Sequence, residues 1–116
     1  MTGYRRGDTV LVWFPNSDLQ TFKKRPAIVV QADNLDTGLP QVLIAMITSN
    51  LSRRGHLSRI FVARDPADGG ATGLLMDSVI MTDNLATIRF EAVAQTLGRF
   101  AHSTDLDAAL KRTLGL

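Results

Sequence analysis

Arg25 is the residue on which a chemical reading of this 116-residue chain turns. It closes the triplet Lys23-Lys24-Arg25 and is followed by Pro26 and the apolar run Ala27-Ile28-Val29-Val30. Proline has no N–H and pushes the residue before it out of the helical region. The triplet therefore reads as the end of a loop, and the run after it as a buried strand, too short for a helix and rich in β-branched residues. A guanidinium at such a strand mouth presents a planar fork of donors that matches two phosphate oxygens and stays charged at every relevant pH. A second apolar run, Val42 to Ile47, ends in Thr48-Ser49-Asn50, and a hydroxyl beside Arg25 can donate to a third oxygen. That pairing can stabilise the added charge of a pentacoordinate phosphorus, an electrostatic mode of catalysis that needs no metal. Taken alone, the triplet also reads as a solvated basic loop, and Thr48 and Ser49 as hydroxyls bonded to local main chain.

Other candidates are fewer. Leu51 to Ser58 is polar and basic, with Arg53, Arg54 and His56 grouped around Gly55. Trp13-Phe14-Pro15 offers a surface for stacking a base, although a Trp on a first strand reads first as core. Asp83, before Asn84, reads as a turn residue with lining a groove as the alternative. Asp65 and Asp68 share a loop and Asp77 and Asp83 flank a strand, but no carboxylates have the spacing of a cation site. His56 and His102 lie far apart without ligand spacing, and the chain has no cysteine, so neither a metal, a cofactor nor a disulfide is expected.

The elements that must position these groups follow from periodicity. Thr9 to Phe14 reads as a strand ended by Pro15-Asn16-Ser17-Asp18, Leu19 to Lys24 as a mobile loop, and Ala27 to Gln31 as the next strand. Turn formers fill residues 32–41, and Val42 to Ile47 is another buried strand. Arg59 to Ala63 is a short strand and Arg64 to Gly73 a loop. Val79 to Met81 and Ala86 to Ile88 read as two short strands joined through Asp83-Asn84. Residues 91–100 are ambiguous, a helical turn and then a strand. From Thr104 the period becomes helical, with Leu106, Ala109, Leu110 and Leu114 on one face. Thr104 with Asp107 forms a capping-box pattern, Asp107 and Lys111 an i,i+4 pair, and Gly115 a stop. Many short strands and one terminal amphipathic helix predict a mainly β fold: a small curled or closed antiparallel sheet with the helix over an end or edge.

Composition bounds the rest. The length suits one domain, 1–116, with its own core. A hydrophobic content of 45% with 21% charged residues is that of an ordinary globular domain. No apolar run approaches the roughly 20 residues of a membrane span, and residues 1–6 do not lead into the apolar segment of a signal peptide. The cytoplasm is the expected compartment. Charge is uneven: residues 1–64 carry nine Lys/Arg against four acids, and residues 65–116 four against seven. A net +5 half suits a polyanion or an acidic protein partner.

Taken together, Arg6-Gly7-Asp8-Thr9-Val10-Leu11-Val12, Lys24-Arg25-Pro26-Ala27-Ile28-Val29-Val30 and Ile47-Thr48-Ser49 resemble the MazF/PemK toxins of bacterial type II toxin–antitoxin pairs. Gly73-Leu74-Leu75-Met76-Asp77-Ser78-Val79-Ile80, Asp83-Asn84-Leu85-Ala86-Thr87-Ile88 and Leu97-Gly98-Arg99 continue the likeness in order over nearly the whole chain. The resemblance implies an SH3-like barrel with a C-terminal helix, a homodimer, and metal-independent, sequence-specific cleavage of single-stranded RNA, often mRNA, by attack of the 2′-hydroxyl. It implies Arg25 and Thr48 as catalytic residues, with Ser49 and Asp83 at further matching positions; with these, Lys24 and the polar, basic residues Asn50, Arg53, Arg54 and His56 are expected to meet the substrate. The implied partner is a MazE-like antitoxin whose acidic tail lies on the basic half. One departure is Met81, where some members carry an arginine two residues before the position of Asp83. The loop 50–59 differs most and is expected to set the cleavage sequence. Other classes fit the same barrel: a gyrase inhibitor of the CcdB type, or an RNA- or protein-binding module that does not cut.

Overall fold

The structure, a computed structural model, describes residues 3–65 and 70–116; Asp68 lies outside them. Six strands form one antiparallel sheet: β1 (Asp8–Pro15), β2 (Phe22–Val29), β3 (Gln41–Thr48), β4 (Arg59–Val62), β5 (Ser78–Arg89) and β6 (Val93–Arg99), in the order β4-β5-β3-β2-β1-β6. Among the described residues one α-helix, α1 (Ser103–Leu114), follows. Short 3₁₀ turns cover Leu51–Arg53, Gly70–Thr72 and Phe90–Ala92. This is the mainly β architecture with a terminal helix that the periodicity predicts.

The central strands are apolar without alternation because both of their faces are buried. On one face Ile28, Val30, Ala45, Ile47 and Ile80 pack under Leu106 of α1, Leu74 and Phe100. On the other, Val10, Val12, Ala27, Val29, Ile44 and Met46 are covered by Tyr4, Phe14, Phe90 and Val93. Side chains of one strand alternate between these two cores, so a residue's parity decides which face it serves.

Several local expectations are corrected. Lys23, Lys24 and Arg25 belong to β2, whose pairing with β1 runs from Pro15↔Phe22 to Thr9↔Ile28. The β1 ladder with β6 ends at Val12↔Val93, and the β2 ladder with β3 ends at Ala27↔Met46. Residues 13–15 and 22–24 thus overhang the sheet as a two-stranded ribbon. Trp13 is accordingly not core: it is 44% exposed, with the Lys24 ammonium 5.0 Å from its ring centre. The turn of that ribbon is stapled by Asp18, whose Oδ1 accepts the amides of Gln20 and Thr21. These bonds hold the Asp18 carboxyl below its ordinary value.

Asp83-Asn84 does not separate two strands. β5 is continuous, and the register passes from Ala45↔Leu85 to Met46↔Met81, which leaves Thr82, Asp83 and Asn84 as a three-residue bulge. Buried Thr82 anchors it: its hydroxyl meets the Ser58 carbonyl at 2.5 Å and Thr113 Oγ1 at 2.8 Å. The capping box is likewise absent. α1 begins at Ser103 with His102 at its N-cap and no side-chain cap, and Asp107 turns to Arg6 at 2.6 Å. Leu106 and Ala109 are buried as the helical period predicts, whereas Leu114 is 55% exposed. Gly115, at φ 72°, closes the helix.

Two glycines bring backbones into direct contact where the turn 70–72 lies on β6. A Cβ on Gly98 would meet the Ala71 carbonyl, and one on Gly73, itself at φ +73°, the Leu97 carbonyl. Among the described residues no helix is long and apolar enough to cross a membrane.

Candidate active site

Pro26 creates the feature around which the candidate residues gather. The Val30 N–H donates to Leu43 of β3, while the Val29 carbonyl accepts from Gly7 on the β1 side. Backbone groups of successive strand residues point to opposite neighbours, so Pro26 faces β3 with no N–H to give to Ile47. The β2·β3 ladder stops there, at Ala27↔Met46. Continued for two residues, the same register puts Arg25 opposite Thr48. Both also have the parity of Val12, Ala27 and Met46, and they stand half-buried just beyond that core. The sheet therefore parts its strands between an arginine and a threonine that share one face.

The immediate bonds leave both side chains able to act. Arg25 Nη2 touches Asn16 Oδ1 at 3.4 Å, a long contact that steadies the fork without consuming it. Thr48 Oγ1 accepts the Asn50 amide at 3.1 Å. A hydroxyl that accepts from main chain still has its own proton to donate, so this local bond orients Thr48.

The remaining candidates divide. Ser49 is exposed immediately after β3. Asn50 uses its Oδ1 to cap the 3₁₀ turn, accepting from the Ser52 amide at 3.2 Å and the Ser52 hydroxyl at 2.7 Å. Arg54 lies over the Phe61 ring at 5.8 Å. Phe61 pairs with Val79 and Val79 with Thr48, so Arg54 reaches the face of Thr48. The Ser58 amide donates to His56 Nδ1 at 3.1 Å, which leaves the neutral ring's proton on Nε2. Arg53 is exposed on the same loop. Lys24 is not brought to this face: its parity is that of Trp13, on the ribbon's other side.

Arg59 is the residue the sequence reading missed. It pairs with Met81, and Met81 with Met46, so it shares the face of Thr48. Its Nη2 and Nε bond the two Asp83 oxygens at 2.8 and 3.3 Å. The Arg59 hydrogen bond holds Asp83 below the usual carboxylate range, against a smaller upward push from burial, and Arg59 is raised in turn. No local signal marks it, since at the start of an apolar strand it reads as a solvated flank. Only the β4·β5 register reveals it.

Two negatives narrow the site. A hollow of about 1010 Å³, lined by Tyr4, Val29, Val42, Phe90 and the 31–41 loop, lies at the opposite end of β2 and β3 from Arg25 and Thr48. Among the described residues, no three His, Asp or Glu side chains gather as ligands.

A family model described as PemK-like, MazF-like toxin of type II toxin–antitoxin system matches residues 5–114. No curated protein sequence matches significantly. Among solved structures, an endoribonuclease in complex with its cognate antitoxin from a mycobacterial species superposes at TM-score 0.75 with 18% identity, covering 98% of this chain and 97% of that one. The Mycobacterium tuberculosis toxin MazF-mt6 gives 0.68 at 22% identity, covering 92% and 97%. A MazE–MazF structure from Deinococcus radiodurans gives 0.73 at 14% identity, covering 99% of each. At these identities the superpositions speak for the fold.

Proposed function

The chain belongs to the PemK-like, MazF-like family of type II toxins, and from that premise we propose that it is an endoribonuclease cutting single-stranded RNA, mRNA included, at short sequences. Arg25 and Thr48 are its catalytic residues. The observation that carries this reading is their shared face and register where Pro26 interrupts the sheet. A pure binding surface has no need of a charged fork and an oriented hydroxyl at one gap in a ladder.

In this mechanism the scissile phosphate sits at the gap. Two of its oxygens take the Arg25 fork, and a third accepts from the Thr48 hydroxyl. The 2′-oxygen attacks phosphorus and gives up its proton, the bond to the 5′-oxygen breaks, and that oxygen gains a proton on leaving. The products are a cyclic 2′,3′-phosphate and a 5′-hydroxyl. Arg25 is a fixed charge where negative charge grows, and donors aimed at that point act without reorganising. Asp83, kept ionised by Arg59, is a weak base and serves binding. Ser49, Asn50, Arg53, Arg54 and His56 line the strand's path, and Lys24 meets flanking backbone around the ribbon. The protein works in the cytoplasm as a homodimer, and a MazE-like antitoxin silences it by laying acidic residues on the same cations.

Incubation of a long single-stranded RNA with purified protein in excess EDTA, beside Arg25→Ala, tests this. Cutting at a few short sites by the wild type only is expected. Intact RNA with a folded wild type overturns it.

A further inference from the structure

The Arg59 guanidinium is engaged on three sides by partners from two separate pieces of chain. Asp83, on the β5 bulge, takes Nε and Nη2; the Arg53 carbonyl, in the 50–58 loop, takes Nη1 at 3.1 Å. Other bonds inside that loop are local: Asn50 with Ser52, His56 with Ser58, the Arg54 amide with Leu51. Its far end is tied where the Thr82 amide and hydroxyl meet the Ser58 carbonyl. Arg59 supplies a tie in the middle. Its own strand lies two strand spacings from β3, about 10 Å, and its donors are turned to Asp83 and Arg53. It does not touch a phosphate gripped by Arg25 and Thr48.

We propose that Arg59 is a positioning residue that sets which RNA sequence is cut. By clamping the Arg53 main chain to Asp83 it holds residues 51–57 in one arrangement, so that Arg53, Arg54 and His56 present a single pattern of donors to the substrate face. Freed from the clamp, the loop samples several patterns, each matching different bases. The preferred sequence then loses more than its competitors, and discrimination is a difference between the two. This rests on the nuclease reading above.

The test compares wild type, Arg59→Ala, Arg59→Lys and Asp83→Asn by mapping cut ends on a long RNA and by amide exchange. In Arg59→Ala, exchange in 51–57 rises about tenfold while β3 is unchanged. The ratio of cutting at the preferred site to the next-best site falls about tenfold, and KM for a preferred-site oligonucleotide rises by a larger factor than kcat falls. Lysine lacks the fork needed to hold Asp83 and Arg53 together, so Arg59→Lys does not restore selectivity. Should Arg59→Ala unfold, Arg59→Lys carries the same expectation, and Asp83→Asn, equal in size, is read by loop exchange alone. An unchanged site ratio in Arg59→Ala, beside a wild type that cuts, overturns the proposal alone. So does a fall in kcat that is equal at every site, which would place Arg59 on the reacting phosphate. A wild type that cuts nothing overturns the nuclease reading, and loop exchange then reads the clamp by itself: no rise in Arg59→Ala overturns it.

Discussion

The strand mouth at Arg25 and Thr48 and the loop at 50–58 are both basic and border the same face, but they are held by different physics. Arg25 and Thr48 stand on central strands over Val12, Ala27 and Met46, of which none is more than 5% exposed. To move either one is to disturb the core. The loop buries none of residues 51–57 and depends on local bonds, the Arg59 guanidinium and the Arg54 contact with Phe61. On the proposed reading, the chemistry is on the part of the molecule that cannot drift, and recognition on a part held by few contacts.

Breaking the rigid side should cost most. Arg25→Ala is expected to lower the cleavage rate about 10³-fold, the scale of a lost transition-state donor. Its polar contact among the described residues, to Asn16, is 3.4 Å long, so the melting temperature should barely change; initial rates and a melting curve check both. Thr48→Val should cost about 10- to 100-fold, the worth of one hydrogen bond to a charged group, and Thr48→Ser should recover most of it. Pro26→Ala sharpens the comparison. It supplies the missing N–H to Ile47, worth about 1 kcal/mol, and gives back about 0.4–1 kcal/mol of chain entropy. Stability stays near level, while the rate falls about three- to tenfold as the gap closes and the fork and hydroxyl lose their alignment.

The smallest effect concerns pH. Asp83 is held below the ordinary carboxylate value by Arg59. A depressed carboxyl contributes fully above its unfolded pKa and loses that contribution only as pH falls through the lowered one. The Asp83 contribution to loop protection, read as the difference between wild type and Asp83→Asn, should therefore stay flat between about pH 5 and 8. It should fade only in stronger acid, and Asp83→Asn should remove the acid step.

What the sequence revealed followed from local rules. Ala27–Val30 and Val42–Ile47 announced buried strands because both faces of the sheet are covered, and Arg25 and Thr48 were legible as the residues flanking those runs. Trp13 misled because exposure there depends on where neighbouring ladders stop, at Val93 and Met46, which residue type does not encode. Asp83-Asn84 carried a true signal of irregularity, but a bulge and a hairpin turn share the same residues. Thr104 and Asp107 have capping spacing, yet Arg6, a hundred residues away, gives Asp107 a better partner. Arg59 was invisible for the same reason: its meaning lies across two strands.

Gly73 and Gly98 carry a consequence for any library of variants. Each faces the other segment's main chain, so a side chain at either has no rotamer that avoids the collision. The displaced Ala71 carbonyl adjoins Thr72, whose own carbonyl accepts the Thr9 hydroxyl at 2.5 Å, and the disturbance passes into β1. In a growth selection that rewards loss of toxicity, substitutions at these two glycines should survive as readily as those at Arg25. The survivors would differ in abundance: substitutions at Arg25 leave a full amount of inert protein, and substitutions at the glycines leave little protein to find.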